Sequence, residues 1–98
     1  MDVLTKELHN FLLILHEKPD CVSHKLAHYL EHIFHLLNVN EEEAVLHYYG
    51  ILGHEQLSLQ QIATENQLTD ADMLSQINNN LHRLAVTPEW QMIKQLIK

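Results

Sequence analysis

Glycine and proline are scarce in this sequence. Only 2 Gly and 2 Pro occur among its 98 residues, whereas average proteins contain about 7% Gly and about 5% Pro. Tight turns between strands depend on these residues, so their scarcity argues against a many-stranded protein. We expect helices joined by short loops. The 46% of residues that are hydrophobic can supply one modest core, which predicts a single domain over residues 1–98.

The sequence also lacks a pair of cysteines and a long apolar segment. Its one cysteine, Cys21, cannot form an internal disulfide. No stretch has the length and hydropathy of a signal peptide or a membrane span. We therefore expect a cytoplasmic protein without a membrane partner. No nucleophile motif, glycine-rich phosphate loop or spaced carboxylate pair occurs, so we expect neither an enzyme nor a cofactor.

Basic residues are few. Six Lys and Arg stand against 13 Asp and Glu, which gives a formal net charge of -7. Such a chain repels phosphate, whereas proteins that bind duplex DNA usually carry a basic patch. Nine His modify this expectation, because their protonation in mildly acidic conditions would reverse the sign of the net charge.

Apolar residues recur at helical spacing in six segments, which predicts an all-α fold, a small bundle of about six helices. Lys18-Pro19-Asp20 interrupts the first pattern, Ser58 opens a capping box with Gln61, and Thr69 is a good N-cap. The predicted helices run from about residue 2 to 16, from Val22 to near Leu37, from Asn38-Val39-Asn40 to about Tyr49, from Ser58 to about Asn66, over about 70–84, and from Pro88 onward.

The aromatic residues divide into two expected groups. Tyr48 and Tyr49 are candidates for exposed contacts. Phe34 and Trp90, together with Met92, are expected in the core because large apolar side chains at helical spacing usually pack.

The fourth and fifth predicted helices, joined at Gln67-Leu68, have the lengths of a helix-turn-helix. Helix pairs with short turns also occur in other bundles, so spacing alone leaves the function open. The order of residues adds four matches: Tyr48-Tyr49-Gly50-Ile51, Leu57-Ser58-Leu59-Gln60-Gln61-Ile62-Ala63, Leu68-Thr69, and Leu81-His82-Arg83-Leu84. Because these four matches occur in the same order and without a gap, the stretch from Leu37 to Leu84 resembles region four of the bacterial housekeeping sigma factors.

This resemblance implies that residues 38–98 form the part with the helix-turn-helix and residues 1–37 an N-terminal helical pair. The family opens its recognition helix with Arg-Glu-Arg-Ile-Arg-Gln, where this chain has Asp70-Ala71-Asp72-Met73-Leu74-Ser75. The long side chains that reach bases and phosphates are therefore missing, and we expect DNA binding to be weak at neutral pH. The candidate DNA-binding residues that remain are Ser58, Thr69, Ser75, Asn78, Asn79, His82 and Arg83.

Region four in the family also docks onto the flap of the RNA polymerase β subunit, chiefly through apolar helix surface. The resemblance thus implies a transcription regulator that acts through protein contacts, with RNA polymerase or a sigma factor as partner. Two alternatives stay open, a DNA-binding helix-turn-helix regulator and a protein-interaction module unrelated to transcription. Val3, Leu13, Ile14 and Leu36 fall outside the narrow apolar stripes of the first two helices, which makes a homodimer a further option.

Four histidines mark the second predicted helix. His24, His28, His32 and His35 project within about 80° of one another, opposite the apolar face. His28 and His32 are the best-placed pair for a metal ion, although a closed zinc site uses four ligands. A solvated polar face and a pH switch are the other interpretations of this stripe.

Overall fold

Six α-helices form the structure, a computed structural model that describes residues 2–97, with side chains as far as residue 96. Met1 and Lys98, which the predicted domain includes, lie outside the described residues. The helices are α1 (Val3–Glu17), α2 (His24–Phe34), α3 (Val39–Tyr49), α4 (Leu59–Glu65), α5 (Asp70–Ala85) and α6 (Pro88–Ile97). A short 3-10 turn at Pro19–Cys21 separates α1 from α2, and residues 2–97 contain no strand. The predicted all-α bundle is confirmed.

Side-chain caps determine where most helices begin. Asn38 accepts a hydrogen bond from the Glu41 backbone N–H at 2.8 Å, and the Glu41 carboxylate accepts from the Asn38 N–H at 3.1 Å. Ser58 and Gln61 form the same reciprocal pair at the start of α4. Thr69 accepts from the Asp72 N–H and caps α5. The predicted caps of α4 and α5 are therefore confirmed. Each cap satisfies a backbone N–H group that has no partner within its own helix.

Helix α2 is shorter than the apolar pattern predicts. It begins at His24, capped by Ser23, and ends at Phe34 instead of near Leu37. The chain then tightens, with the Leu37 N–H donating to the Phe34 carbonyl at 3.1 Å. Leu37 stays buried in this turn. The apolar periodicity of the sequence therefore extends beyond the last residue of α2, because the turn that follows keeps the Leu37 side chain in the core.

The core receives side chains from all six helices. Among the described residues, α1 packs most extensively against α5. The apolar residues that recur at helical spacing along α5, namely Met73, Ile77, Leu81 and Leu84, are all buried. Trp90 of α6 packs on Phe11 of α1 with ring centroids 5.7 Å apart. The fully buried large side chains are Leu8, Leu12, Leu30, Ile33, Phe34, Tyr49, Ile62, Met73, Ile77, Leu81, Leu84 and Trp90.

Two sequence-based expectations about burial are wrong. Tyr49 is only 1% exposed, because its ring closes the core while its hydroxyl lies 2.7 Å from His9 Nδ1. Met92 is 63% exposed, because two helical positions separate it from the buried Trp90 and turn it to the opposite side of α6. No described helix has both the length and the hydropathy needed to traverse a bilayer.

The loop after α3 places two glycines in left-handed backbone conformations. Gly50 has φ +65° and ends α3, with its N–H donating to the Leu46 carbonyl. A Cβ atom at Gly50 would lie 2.6 Å from Gln56 Cβ and 3.1 Å from Gln56 Cα. Gly53 has φ +82°, and a Cβ atom there would have no neighbour within 4 Å. Backbone conformation therefore favours glycine at both positions, whereas close packing requires it only at Gly50.

This difference predicts unequal costs for two matched substitutions. Gly53→Ala should lower the free energy of unfolding by about 1 kcal/mol, the cost of a left-handed L-residue. Gly50→Ala should cost at least about 2 kcal/mol, because the new methyl group also displaces Gln56. Urea unfolding followed by Trp90 fluorescence measures both values. Equal losses would show that Gln56 does not pack closely on Gly50.

Candidate nucleic-acid interface

The two helices of the predicted helix-turn-helix pack against each other across a tight turn. Helix α4 contacts α5 directly. Between them, Gln67 adopts φ +59°, and the Leu68 N–H donates to the Ala63 carbonyl at 2.9 Å. This bond closes the C-terminal end of α4 and leaves Thr69 free to cap α5. The turn therefore fixes the position of the α5 N-terminus relative to α4.

One face of α5 points to solvent and is the surface that a DNA groove would meet. We call it the α5 face, and it consists of Ala71, Asp72, Ser75, Gln76, Asn79, His82 and Arg83, all exposed. Asp72 carries the negative charge of this face, and its polar residues Ser75, Gln76 and Asn79 are neutral. Only His82 and Arg83 of the face can carry positive charge. The electrostatics of this face therefore depend on the partners of these two residues.

The candidate residues without positive charge occupy different settings. Ser58 and Thr69 are exposed, but their hydroxyl groups accept capping hydrogen bonds from the Gln61 and Asp72 N–H groups. Asn78 is half-buried. Ser75 and Asn79 lie one turn apart on the α5 face and are exposed. The structure thus brings together Ser75, Asn79, His82 and Arg83, whereas Ser58 and Thr69 act as helix caps.

His82 contacts the N-terminus of α1. Its Nδ1 lies 2.9 Å from Asp2 Oδ2 and 3.0 Å from Thr5 Oγ1. Asp2 also caps α1 by accepting the Thr5 backbone N–H at 2.8 Å. Hydrogen bonds from Thr5, and then the charge of His82, lower the pKa of Asp2. A carboxylate therefore faces His82, and any positive charge on that ring is offset within the protein.

Arg83 is paired with α3. Its Nη1 donates to Glu41 Oε2 at 3.0 Å and to Asn80 Oδ1 at 3.3 Å. Glu41 is the residue that completes the capping box of α3, so its position is fixed from both sides. A phosphate group would have to compete with this carboxylate for the guanidinium. Both basic residues of the α5 face thus have acidic partners outside α5.

Sequence reasoning missed the residues that pair with His82 and Arg83. Asp2 and Glu41 give only local capping signals, and nothing in the sequence reveals which distant side chain each one meets. Asn80 did carry a signal, because it lies three residues after Ile77 and four before Leu84, on the apolar stripe of α5. It is 5% exposed. A polar residue on such a stripe indicates a buried hydrogen-bonding role.

Acidic groups also line a groove beside α4. A polar groove between α3 and α4 is lined by Asn40, Glu43, His47, Glu65 and Asn66. Glu43 and Glu65 are exposed. Their carboxylates repel phosphate at this groove between α3 and α4. The local charge therefore follows the acidic balance of the whole chain.

The histidine stripe lies where the sequence places it. His24, His28, His32 and His35 are all exposed, and His35 Nδ1 is 3.3 Å from Glu42 Oε1 of α3. Across residues 2–97, no group of three or more His, Cys, Asp or Glu side chains converges on a common metal position. His28 and His32, the metal candidates, thus remain a pair.

No known protein family, curated protein or solved structure matches this chain significantly. The resemblance to region four of the sigma factors therefore stays a prediction. The function has to be argued from the surface of this chain itself.

The lowered pKa of Asp2 predicts a pH-dependent contribution to stability. A carboxyl group whose pKa is lower in the folded state stabilises the fold above its unfolded value of about 3.9. That contribution disappears as pH falls through the folded value. Asp2→Asn keeps a good N-cap and removes the charge. The variant should therefore melt below the unmodified chain near pH 7, and the gap should close at about pH 2.

Thermal unfolding followed by circular dichroism across this pH range measures the effect. Asp20→Asn is the matched control, because it removes an exposed aspartate that takes part in none of these contacts. Equal melting temperatures for Asp2→Asn and the unmodified chain near pH 7 would contradict a stabilising role for the charged Asp2 carboxylate.

Proposed function

We propose that this chain is a transcription regulator with a helix-turn-helix like that of sigma region four, and that it acts by binding RNA polymerase or a sigma factor. Strong DNA binding is not its mode of action. The observation that carries this proposal is the pairing of His82 and Arg83 with Asp2 and Glu41. Within residues 2–97, these are the only side chains of the α5 face that can carry positive charge.

Phosphate binding requires free cationic groups. Affinity for duplex DNA comes largely from Lys and Arg side chains that neutralise phosphates. Here Arg83 already meets a carboxylate, and Asp72 adds a negative charge to the α5 face. Readout of guanine by a bidentate arginine is also hindered, because Arg83 donates to Glu41 and Asn80. These features oppose both the affinity and the specificity of DNA binding.

An apolar groove supports a function in protein binding. Helices α2 and α6 enclose it, and we call it the α2–α6 groove, lined by Ser23, Lys25, Leu26, Tyr29, Met92 and Leu96. Tyr29 is 38% exposed, Met92 63% and Leu96 58%. Single exposed apolar residues are ordinary, whereas a contiguous group of them marks an interaction site. Tyrosine and methionine are also enriched in protein interfaces.

The sequence resemblance supports the choice of partner. Region four of the sigma factors docks onto the polymerase flap chiefly through apolar helix surface, which needs no positive charge on the recognition helix. A chain that keeps a similar helix pair without the basic residues can retain such protein contacts. RNA polymerase and sigma factors are therefore the partners to test first.

A DNA-binding regulator is the second candidate function, and one observation favours it. Ser75 and Asn79 are exposed one turn apart on the α5 face, where an asparagine can form paired hydrogen bonds with adenine. This function requires binding that weakens with salt. A protein-interaction module unrelated to transcription is the remaining alternative.

DNA binding is tested by fluorescence anisotropy of a labelled duplex at low and physiological salt. The unmodified chain should not bind at pH 7.5. Asp72→Arg with Gln76→Arg places two cations on the α5 face and should create salt-sensitive binding if that face fits a groove. Asn10→Arg with Glu31→Arg adds the same charge at exposed positions of α1 and α2, and should bind more weakly. Salt-sensitive binding by the unmodified chain would establish the second candidate instead.

Partner binding is tested by biolayer interferometry with purified bacterial core RNA polymerase and, separately, a housekeeping sigma factor. The chain should bind one of them. Met92→Glu with Leu96→Glu should weaken that binding by at least about tenfold, because charges replace the apolar surface of the α2–α6 groove. Val3→Glu with Val39→Glu adds the same charge at exposed first-turn positions and should leave binding unchanged.

Each possible failure of this experiment has a definite meaning. No binding of the unmodified chain to polymerase or to the sigma factor would contradict the proposed function and favour a module unrelated to transcription. Equal binding by both double variants would reject the α2–α6 groove as the contact surface.

A further inference from the structure

Six of the nine histidines have a polar partner inside the protein, and each uses its Nδ1 atom. His16, His47 and His54 donate to backbone carbonyl groups, at 2.9, 2.8 and 3.2 Å. The other three Nδ1 atoms lie close to side-chain oxygens: His9 to the Tyr49 hydroxyl, His35 to Glu42, and His82 to Asp2 and Thr5. These six rings therefore have structural roles.

The remaining three histidines lie together on α2. His24, His28 and His32 are exposed, and none of their rings has a hydrogen bond or an ion pair with another described residue. They are spaced four residues apart, so successive rings are neighbours on one side of the helix, with Cβ atoms about 5–6 Å apart. Each of these three side chains is thus accessible from solvent. Histidine is also a poorer helix former than alanine, and these side chains add no packing to the core.

We propose that His24, His28 and His32 form a binding site for a divalent transition-metal ion, with His28 pairing with either neighbour. Imidazole nitrogen is a preferred ligand of zinc, copper and nickel. Two histidines four residues apart on one helix face are a known arrangement for holding zinc. The helix supplies this spacing without any rearrangement of the backbone. The site is independent of the function proposed above.

The surroundings define how such a site would bind its ion. Since no three potential ligands converge within residues 2–97, the protein supplies two nitrogens and water completes the coordination. Glu31 lines the same depression as His24 and His28, and its carboxylate adds negative charge, whereas Lys25 in that depression opposes a cation. His35 follows His32 by three residues, but its Nδ1 lies 3.3 Å from Glu42 Oε1, so its ring is held beside α3 and away from the other three. His28 is therefore the residue that both possible pairs share.

Ligand chemistry also predicts the order of metals. Sites built from nitrogen bind copper(II) more tightly than nickel(II) or zinc(II). Magnesium prefers oxygen ligands and keeps its water shell. The site should therefore bind copper(II) most tightly and should not bind magnesium.

Isothermal titration calorimetry of the purified chain with each metal chloride at pH 7.5 tests the proposal. His28→Ala removes both pairs and should abolish binding of one equivalent of copper(II). His24→Ala and His32→Ala each leave one pair, so the affinity should fall only about twofold. His35→Ala is the matched control at the C-terminal end of the same helix and should leave binding unchanged.

Thermal unfolding is a second test, and it does not depend on the heat that metal binding releases. An ion that links two turns of α2 stabilises the folded chain by mass action, so copper(II) should raise the melting temperature. His28→Ala should lose this rise, and without metal it should melt at or slightly above the unmodified chain, because alanine favours the helix and the replaced ring is exposed. Binding by His28→Ala equal to that of the unmodified chain would overturn the proposal. No copper binding by the unmodified chain, or equally tight magnesium binding, would also overturn it.

Discussion

The packing of α1 against α5 is the contact on which the remaining structure depends. Leu8 and Leu12 of α1, and Ile77 and Leu81 of α5, are at most 1% exposed, and burial of such side chains contributes about 1.5–3 kcal/mol each. This apolar contact also brings the first turn of α1 next to the last turn of α5. Asp2 consequently meets His82. The packing of the core thus determines which charged group lies beside His82 on the exposed side of α5.

The shape of the helix pair alone does not decide whether the α5 face can bind DNA, because the acidic partners of its basic residues also matter. An exposed ion pair such as Glu41–Arg83 contributes only about 0–1 kcal/mol to stability, so its importance does not lie in holding the fold together. It matters because it occupies an arginine that a phosphate would need. Asp72, Glu43 and Glu65 then repel phosphate without any free cation on the α5 face to offset them. The proposal of protein contact rests instead on the exposed apolar side chains of the α2–α6 groove.

Much of the fold could be predicted because its signals are local. Asn38, Ser58 and Thr69 cap helices through bonds to residues three positions away, and apolar spacing located six helices. The end of α2 could not be predicted, because Leu37 remains buried beyond the last helical turn. Nor could the partners of His82 and Arg83 be predicted, because they are distant in the sequence and depend on how the bundle packs. The solvent-facing histidine stripe needed only helical periodicity.

Native-state hydrogen exchange tests the central claim most directly, because it measures whether α1 and α5 open together. If their packing organises the fold, buried amide groups in both helices should exchange with the same free energy, through one cooperative opening. The result that would contradict this account is exchange of the α1 amides through a separate opening of lower free energy while α3, α4 and α5 stay protected. In that case Asp2 would leave His82 without unfolding the helix pair, and the α5 face would be periodically free of its acidic partner.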